Sequence, residues 1–239
     1  FDHYFRRTSR CYIRTNYRSV SSVVETGNAV MRGRGEEAKS KRNDSGSVWV
    51  CKLDEFSPSA SEQARHNGDE ITPAVLRLAR NFLDDGADIV MLSRRNGLPW
   101  YVNYDRTISG TGDTLIRFQQ HIRSFLPEED RRRISVSTTH SYKGLEKSVV
   151  IVLDAVDRSY PLIHPNWVFL RLFGDQIECI EDEERRLFYV AVTRAKEALT
   201  FITESMSESQ YLGDIRRQER LDELQWDRFD GPNIFGDIF

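Results

Sequence analysis

The stretch "EDEERRLFYVAVTRAKEALTFIT", residues 181–203, decides how the rest of the chain is read. Leu187, Val190, Ala191, Arg194 and Ala198 recur at i, i+3, i+4, i+7 and i+11, with Phe188, Val192, Ala195 and Leu199 alongside. This spacing predicts an amphipathic helix over 181–198. "LTFIT" after it reads as a strand. The acids Glu181–Glu184 suit the first turn of a helix, whose dipole favours negative charge, so they need no metal. Arg194 is the anomaly: on an apolar face a guanidinium carries a desolvation cost unless an anion meets it. That anion is either an internal carboxylate or a phosphate.

Moving outward, "SVVIVLDAV" (148–156) is a continuous apolar run of the kind buried on both faces of a parallel sheet. "RISVSTTH" (133–140), "ADIVMLSRR" (87–95) and "SVWVCKL" (47–53) are further predicted strands. Helices are predicted over "TPAVLRLARNFLDDG" (72–86), with Thr72 as N-cap, Pro73 at the first helical position and Gly86 at the end. They are predicted also over 114–126 and within 16–31, where Val20, Val23, Val24, Ala29 and Val30 keep helical spacing. "RGRGEEAKSKRNDSG" (32–46) reads as a solvated loop. Its G-x-G-x-x-A pattern lacks a preceding strand and therefore the context of a dinucleotide site. Strands alternating with helices imply an α/β domain with a mostly parallel sheet, over about residues 1–204, followed by a C-terminal helix and tail over 205–239.

Composition bounds the function. The 239 residues include 30% charged and 39% hydrophobic side chains, with a net charge of −3. This is a globular composition without a whole-domain basic footprint, although Arg131–Arg133 and 32–42 could still touch phosphates. No apolar run is long enough to span a bilayer and no signal layout stands at the start, so the expected location is cytoplasmic, with no membrane partner. Cys11, Cys51 and Cys179 form no C-x-x-C pair and are read as packing residues. The first residue is Phe1, which suggests a piece of a longer polypeptide.

Four ordered elements carry a resemblance. "EDEERRLFYVAVTRAKEAL" and "ISVSTTHSYKGLEKSVVIVLD" resemble the last two motifs of UvrD/Rep-type superfamily 1 helicases. "IRTNYRS" (13–19) looks like that family's N-Y-R-S element, and "DIVMLSRRN" like its apolar strand ending in an arginine-bearing loop. The resemblance implies the second, C-terminal RecA-like motor domain, with a P-loop-NTPase-like fold, of an ATP-dependent DNA helicase moving 3′ to 5′.

By position, it implies that Tyr17 stacks on adenine, that Arg18 and Arg194 reach the γ-phosphate, and that Glu146 meets the ribose. Lys143 and Gly144 complete that nucleotide motif, and Thr138 and His140 lie near single-stranded DNA. Taken alone, Tyr17 could be a core aromatic, Arg18 a capping charge, Glu146 a surface glutamate and His140 an ordinary loop histidine. The sequence contains no "GK" and hence no G-x-x-x-x-G-K-[ST] cradle. ATP and Mg²⁺ are therefore expected to be held mainly by an N-terminal motor domain, which becomes a partner alongside single-stranded or partly duplex DNA. The segment 96–133 is too short for the large inserted subdomain usual in the family, and Lys147 stands where the family commonly has an aromatic or apolar residue. A non-catalytic nucleic-acid-binding module with the same fold is the alternative.

Overall fold

The computed structural model describes residues 14–44, 46–66, 71–97, 114–163, 177–218 and 221–223. The expectations for Cys11, for 98–113 and for the tail beyond 223 lie outside them. Strands are β1 (Thr15–Asn16), β2 (Lys39–Ser40), β3 (Ser47–Lys52), β4 (Ile89–Ser93), β5 (Ile134–Thr138), β6 (Lys147–Val152), β7 (Ala195–Thr203) and β8 (Asp222–Glu223). Helices are α1 (Ser21–Val30), α2 (Ala60–His66), α3 (Ile71–Leu83), α4 (Thr114–Ser124), α5 (Glu128–Arg131), α6 (Ile177–Val192) and α7 (Gln210–Arg216). Among the described residues six strands form one sheet in the order β5-β4-β6-β7-β3-β8. Every pairing in it is parallel, as expected for an α/β domain.

The period-two alternation of each strand separates two cores. Ile89, Met91, Val149 and Ile151 face one side and meet α3 and α4 through Leu78, Phe82, Phe118 and Ile122. Val90, Leu92, Val150 and Val152 face the other and meet α1, α6 and α7 through Val23, Phe188, Tyr211 and Leu212. Both faces are covered, which is why the central strands read as unbroken apolar runs. The helix expected after residue 205 is α7, tied to α6 by the Arg185–Asp214 pair at 2.6 Å and by Arg185 over the Tyr211 ring at 4.6 Å.

Two expectations differ from what is observed here. α3 starts at Ile71, so Thr72 and Pro73 lie inside its first turn and Thr72 is not the cap. Its end is as expected in kind: Gly86 adopts φ +80, its N–H donates to Leu83 O and that of Ala87 to Phe82 O, which satisfies the last carbonyls. Cys51 is buried, but Cys179 is exposed and does not pack.

The largest difference concerns residues 181–203. α6 stops at Val192, and β7 begins at Ala195. The apolar residues 195, 198 and 199 that prolong a helical pattern instead join a parallel ladder, with Val149 opposite Ala198 and Val150 opposite Leu199. Ladder bonds to β3 and β6 outweigh a local periodicity that fits both structures. Arg194 thus lies in the turn between helix and strand.

Candidate functional site

Six of the eight candidate residues gather toward the end of the sheet where β6 and β7 begin. The N-Y-R-S segment is shaped by Asn16, whose Oδ1 accepts from the backbone N–H of Arg18 (2.8 Å) and of Ser19 (2.9 Å). Such an Asx-type turn is a standard use of asparagine. Ser19 Oγ then donates to Ala195 O (2.7 Å) and Val20 N to Lys196 O (2.9 Å), docking the segment against the start of β7.

From this platform Arg18 donates through Nη2 to Thr193 O (2.6 Å) and through Nη1 to Glu146 (3.2 Å), and its buried Nε has no partner among the described residues. Tyr17 is 73% exposed, an aromatic face held in solvent beside Arg18. It is therefore not a core aromatic. Arg194 is fixed by Nε to Val190 O (3.1 Å), Nη1 to Leu145 O (3.0 Å) and Nη2 to Thr193 Oγ1 (3.3 Å). It forms no ion pair among the described residues, so the internal salt bridge allowed by the sequence is absent there. Burial first, and then the neighbouring Arg18, hold its guanidinium below the ordinary value.

Glu146 takes Arg18 on one carboxylate oxygen and Lys196 Nζ (2.7 Å) on the other. The Lys196 hydrogen bond is the chief reason its carboxyl titrates below the usual glutamate range. Lys143 and Gly144 are exposed in the turn before it, and Gly144 has φ +92, a conformation suited to glycine. Lys147, the departure from the family pattern, pairs with Asp88 at 3.2 Å across the starts of β6 and β4. The cluster of Arg18, Arg194 and Lys196 around the single carboxylate of Glu146 leaves an excess of positive charge. It can receive a polyanion, whose oxygens would relieve the desolvated guanidiniums.

Thr138 and His140 lie at the opposite end of the strands. Thr138 closes β5, opposite Ser93 at the end of β4. Its hydroxyl donates to Ser141 Oγ (2.8 Å) and accepts from Ser141 N (3.0 Å), and His140 is exposed on the resulting turn. The candidate set is therefore divided between two edges of one sheet.

Some supporting residues were invisible to motif reading. Ser40 Oγ donates to Ser19 O (2.7 Å) and Arg42 Nη1 to Arg18 O (3.2 Å), and the Asn28 side chain clamps Ala38 through both its amide atoms. With β1 and β2 paired, the stretch read as a solvated loop folds back and braces the Arg18 segment. No local signal in that polar stretch announces this contact. Lys196 and Thr193, by contrast, flank Arg194 in sequence and could have been suspected.

Part of the chain is similar to known proteins. Residues 110–206 match the model of the UvrD-like helicase C-terminal domain. Over those residues the chain is similar to that family. The UvrD-like match covers β5, β6, α6 and β7, and with them Thr138, His140, Glu146 and Arg194. The chain is 31% identical over 121 residues to a probable DNA helicase of Mycoplasma pneumoniae, spanning 48% of this chain and 20% of that protein. It is 44% identical over 70 residues to the putative ATP-dependent DNA helicase YjcD of Bacillus subtilis, spanning 29% of this chain and 9% of that protein. The chain thus spans a fifth or less of the length of these relatives. A solved C-terminal domain of a possible DNA helicase from Lactobacillus plantarum WCFS1 aligns over 87% of this chain and 99% of its own, with TM-score 0.46 and 15% identity.

Proposed function

We propose that this chain is the C-terminal half of an ATP-driven DNA helicase motor, acting with an N-terminal motor domain that holds most of the ATP and the Mg²⁺. The observation that carries the reading is Arg194: a desolvated guanidinium pinned by two carbonyls and a hydroxyl, beside a second arginine and with no ion pair among the described residues. A terminal phosphate fits that place, and the unpartnered buried Nε of Arg18 supplies a further donor. ATP supplies the phosphoryl group whose transfer drives the motor. Arg18 and Arg194 stabilise the charge that develops on it, as fixed arginines do in phosphoryl transfer. Tyr17 offers its exposed ring to the base, and Glu146 accepts from ribose hydroxyls, with Lys143 and Gly144 shaping the turn that carries it.

Thr138 and His140, on the other edge, contact the single strand. Hydrolysis then alters how the two motor halves close on the nucleotide, and movement along the strand runs 3′ to 5′ as the resemblance implies. Arg194→Ala in the intact parent protein is expected to reduce DNA-stimulated ATP turnover by about 10³-fold. Turnover near that of the unaltered protein would sink the proposal.

A further inference from the structure

The strand order makes the chain connections diverge near Thr138 and His140. From β4 the chain passes to β5 on one side, and from β6 it passes to β7 on the other, so the connections diverge at the ends of β4 and β6. Ligands of open α/β sheets bind at such a divergence, outside the strands' C-terminal ends. The floor here is polar and fully used. Buried Asp154 accepts from Ser93 Oγ (3.1 Å) and from Arg94 N on both oxygens (3.1 and 2.8 Å). The Arg94 guanidinium is taken by Glu184 at 2.9 and 2.5 Å.

Two arginines remain on the rim. Arg95 is exposed and donates through Nη2 to Arg158 O (3.0 Å), with buried Asp154 within electrostatic reach. Arg158 is exposed, and its guanidinium makes no hydrogen bond or ion pair among the described residues. It also has φ +68, a left-handed conformation in which a side chain is unfavourable and glycine would not be. The turn that enforces it is fixed: Ser159 N and Tyr160 N donate to Val156 O, and Asp157 N to Ser207 O. Tyr160 OH meets Thr139 Oγ1 at 2.5 Å, which joins this turn to the one presenting His140. The rim's carboxylates do not neutralise the pair. Glu208 is bound to Arg216, Glu204 accepts from Ser207, and exposed Asp157 forms no ion pair with either arginine.

We propose that Arg95 and Arg158 form a phosphate-binding pair on this edge and contact the backbone of a single-stranded polynucleotide beside His140. Guanidinium forks suit phosphate oxygens, and most contacts that hold a nucleic acid in register go to its backbone. The inference rests on the reading of this chain as part of a nucleic-acid motor and adds two contacts to it.

The test is fluorescence anisotropy of a labelled oligo(dT) titrated with the 239-residue chain over a range of salt concentrations. Arg95→Ala and Arg158→Gly are each expected to weaken binding about threefold or more, and to lower the steepness of the log-log salt dependence by about 0.7. Arg158→Gly removes the guanidinium while relieving the left-handed backbone, so its melting temperature should rise as its affinity falls. A merely structural role would not move both in that way. Unchanged affinity and salt slope in the double variant, with the unaltered chain binding, overturn the pair and leave the motor reading to the Arg194 experiment. Absence of oligo(dT) binding by the unaltered chain at low salt overturns the nucleic-acid role of this edge altogether, the pair included.

Discussion

Arg94 and Glu184 form a two-pronged ion pair, Nε to Oε2 at 2.9 Å and Nη2 to Oε1 at 2.5 Å, with side-chain exposures of only 19% and 10%. It joins the end of β4 to the body of α6, and Glu184 also accepts from Leu162 N at 3.0 Å. The same helix ends at Val192, next to Thr193 and Arg194 at the far edge, so this pair fixes the rod that leads into the turn carrying Arg194. Removing one partner strands a largely buried charge. Arg94→Ala should cost about 3 kcal/mol, read from the urea midpoint, whereas the paired Arg94→Met, Glu184→Gln variant should lose less. Equal losses in both would show that the pair's mutual compensation is not what matters.

Asp154 makes stability depend on pH. Burial outweighs its hydrogen bonds and raises its carboxyl to about 6. A carboxyl with a raised folded-state pKa contributes most below its unfolded value near 4, and that contribution is lost as pH rises through about 6. Melting temperature should therefore decline across this window, and Asp154→Asn should flatten the decline. Glu62 acts in the opposite sense. Its pairing with Arg77, and its bonds to Ser59, outweigh burial and lower it to about 2, so its contribution is present above about 4.5 and is lost toward pH 2.

Gly46 is required by packing. A Cβ there would collide with the carbonyl of Glu197 and with the Val20 side chain, where β3 sets out beside β7. Gly46→Ala should destabilise by about 2 to 3 kcal/mol as backbone or side chain shifts to make room, measured by chemical denaturation. A loss under about 0.5 kcal/mol would mean that the two strands part without cost.

Gln119 guards an edge. β5 ends the sheet, and Gln119 Oε1 accepts from Val136 N (2.8 Å) while Arg123 donates to Ile134 O (3.0 and 2.5 Å). Side chains of α4 thus occupy main-chain groups that another strand could otherwise pair with. Gln119→Ala should cost about 1 kcal/mol and promote concentration-dependent self-association, followed by light scattering. A monomer as stable as the unaltered chain would refute that role.

The continuous apolar run "SVVIVLDAV", the Gly86 stop and the four ordered motifs were local facts, legible because apolar runs, caps and short motifs depend on near neighbours in sequence. They determined the parallel α/β class and which side chains to suspect. Where α6 gives way to β7 was a tertiary decision, because Ala195, Ala198 and Leu199 fit either pattern until β3 and β6 offer them a ladder. Only the folded chain sets Arg194 against two carbonyls beside Arg18, bends residues 38–42 back to brace that arginine, and divides the candidates between two edges of the sheet. Contacts in this cluster link positions up to 176 residues apart. They arise from strand order and burial, which the sequence encodes only through the whole core at once.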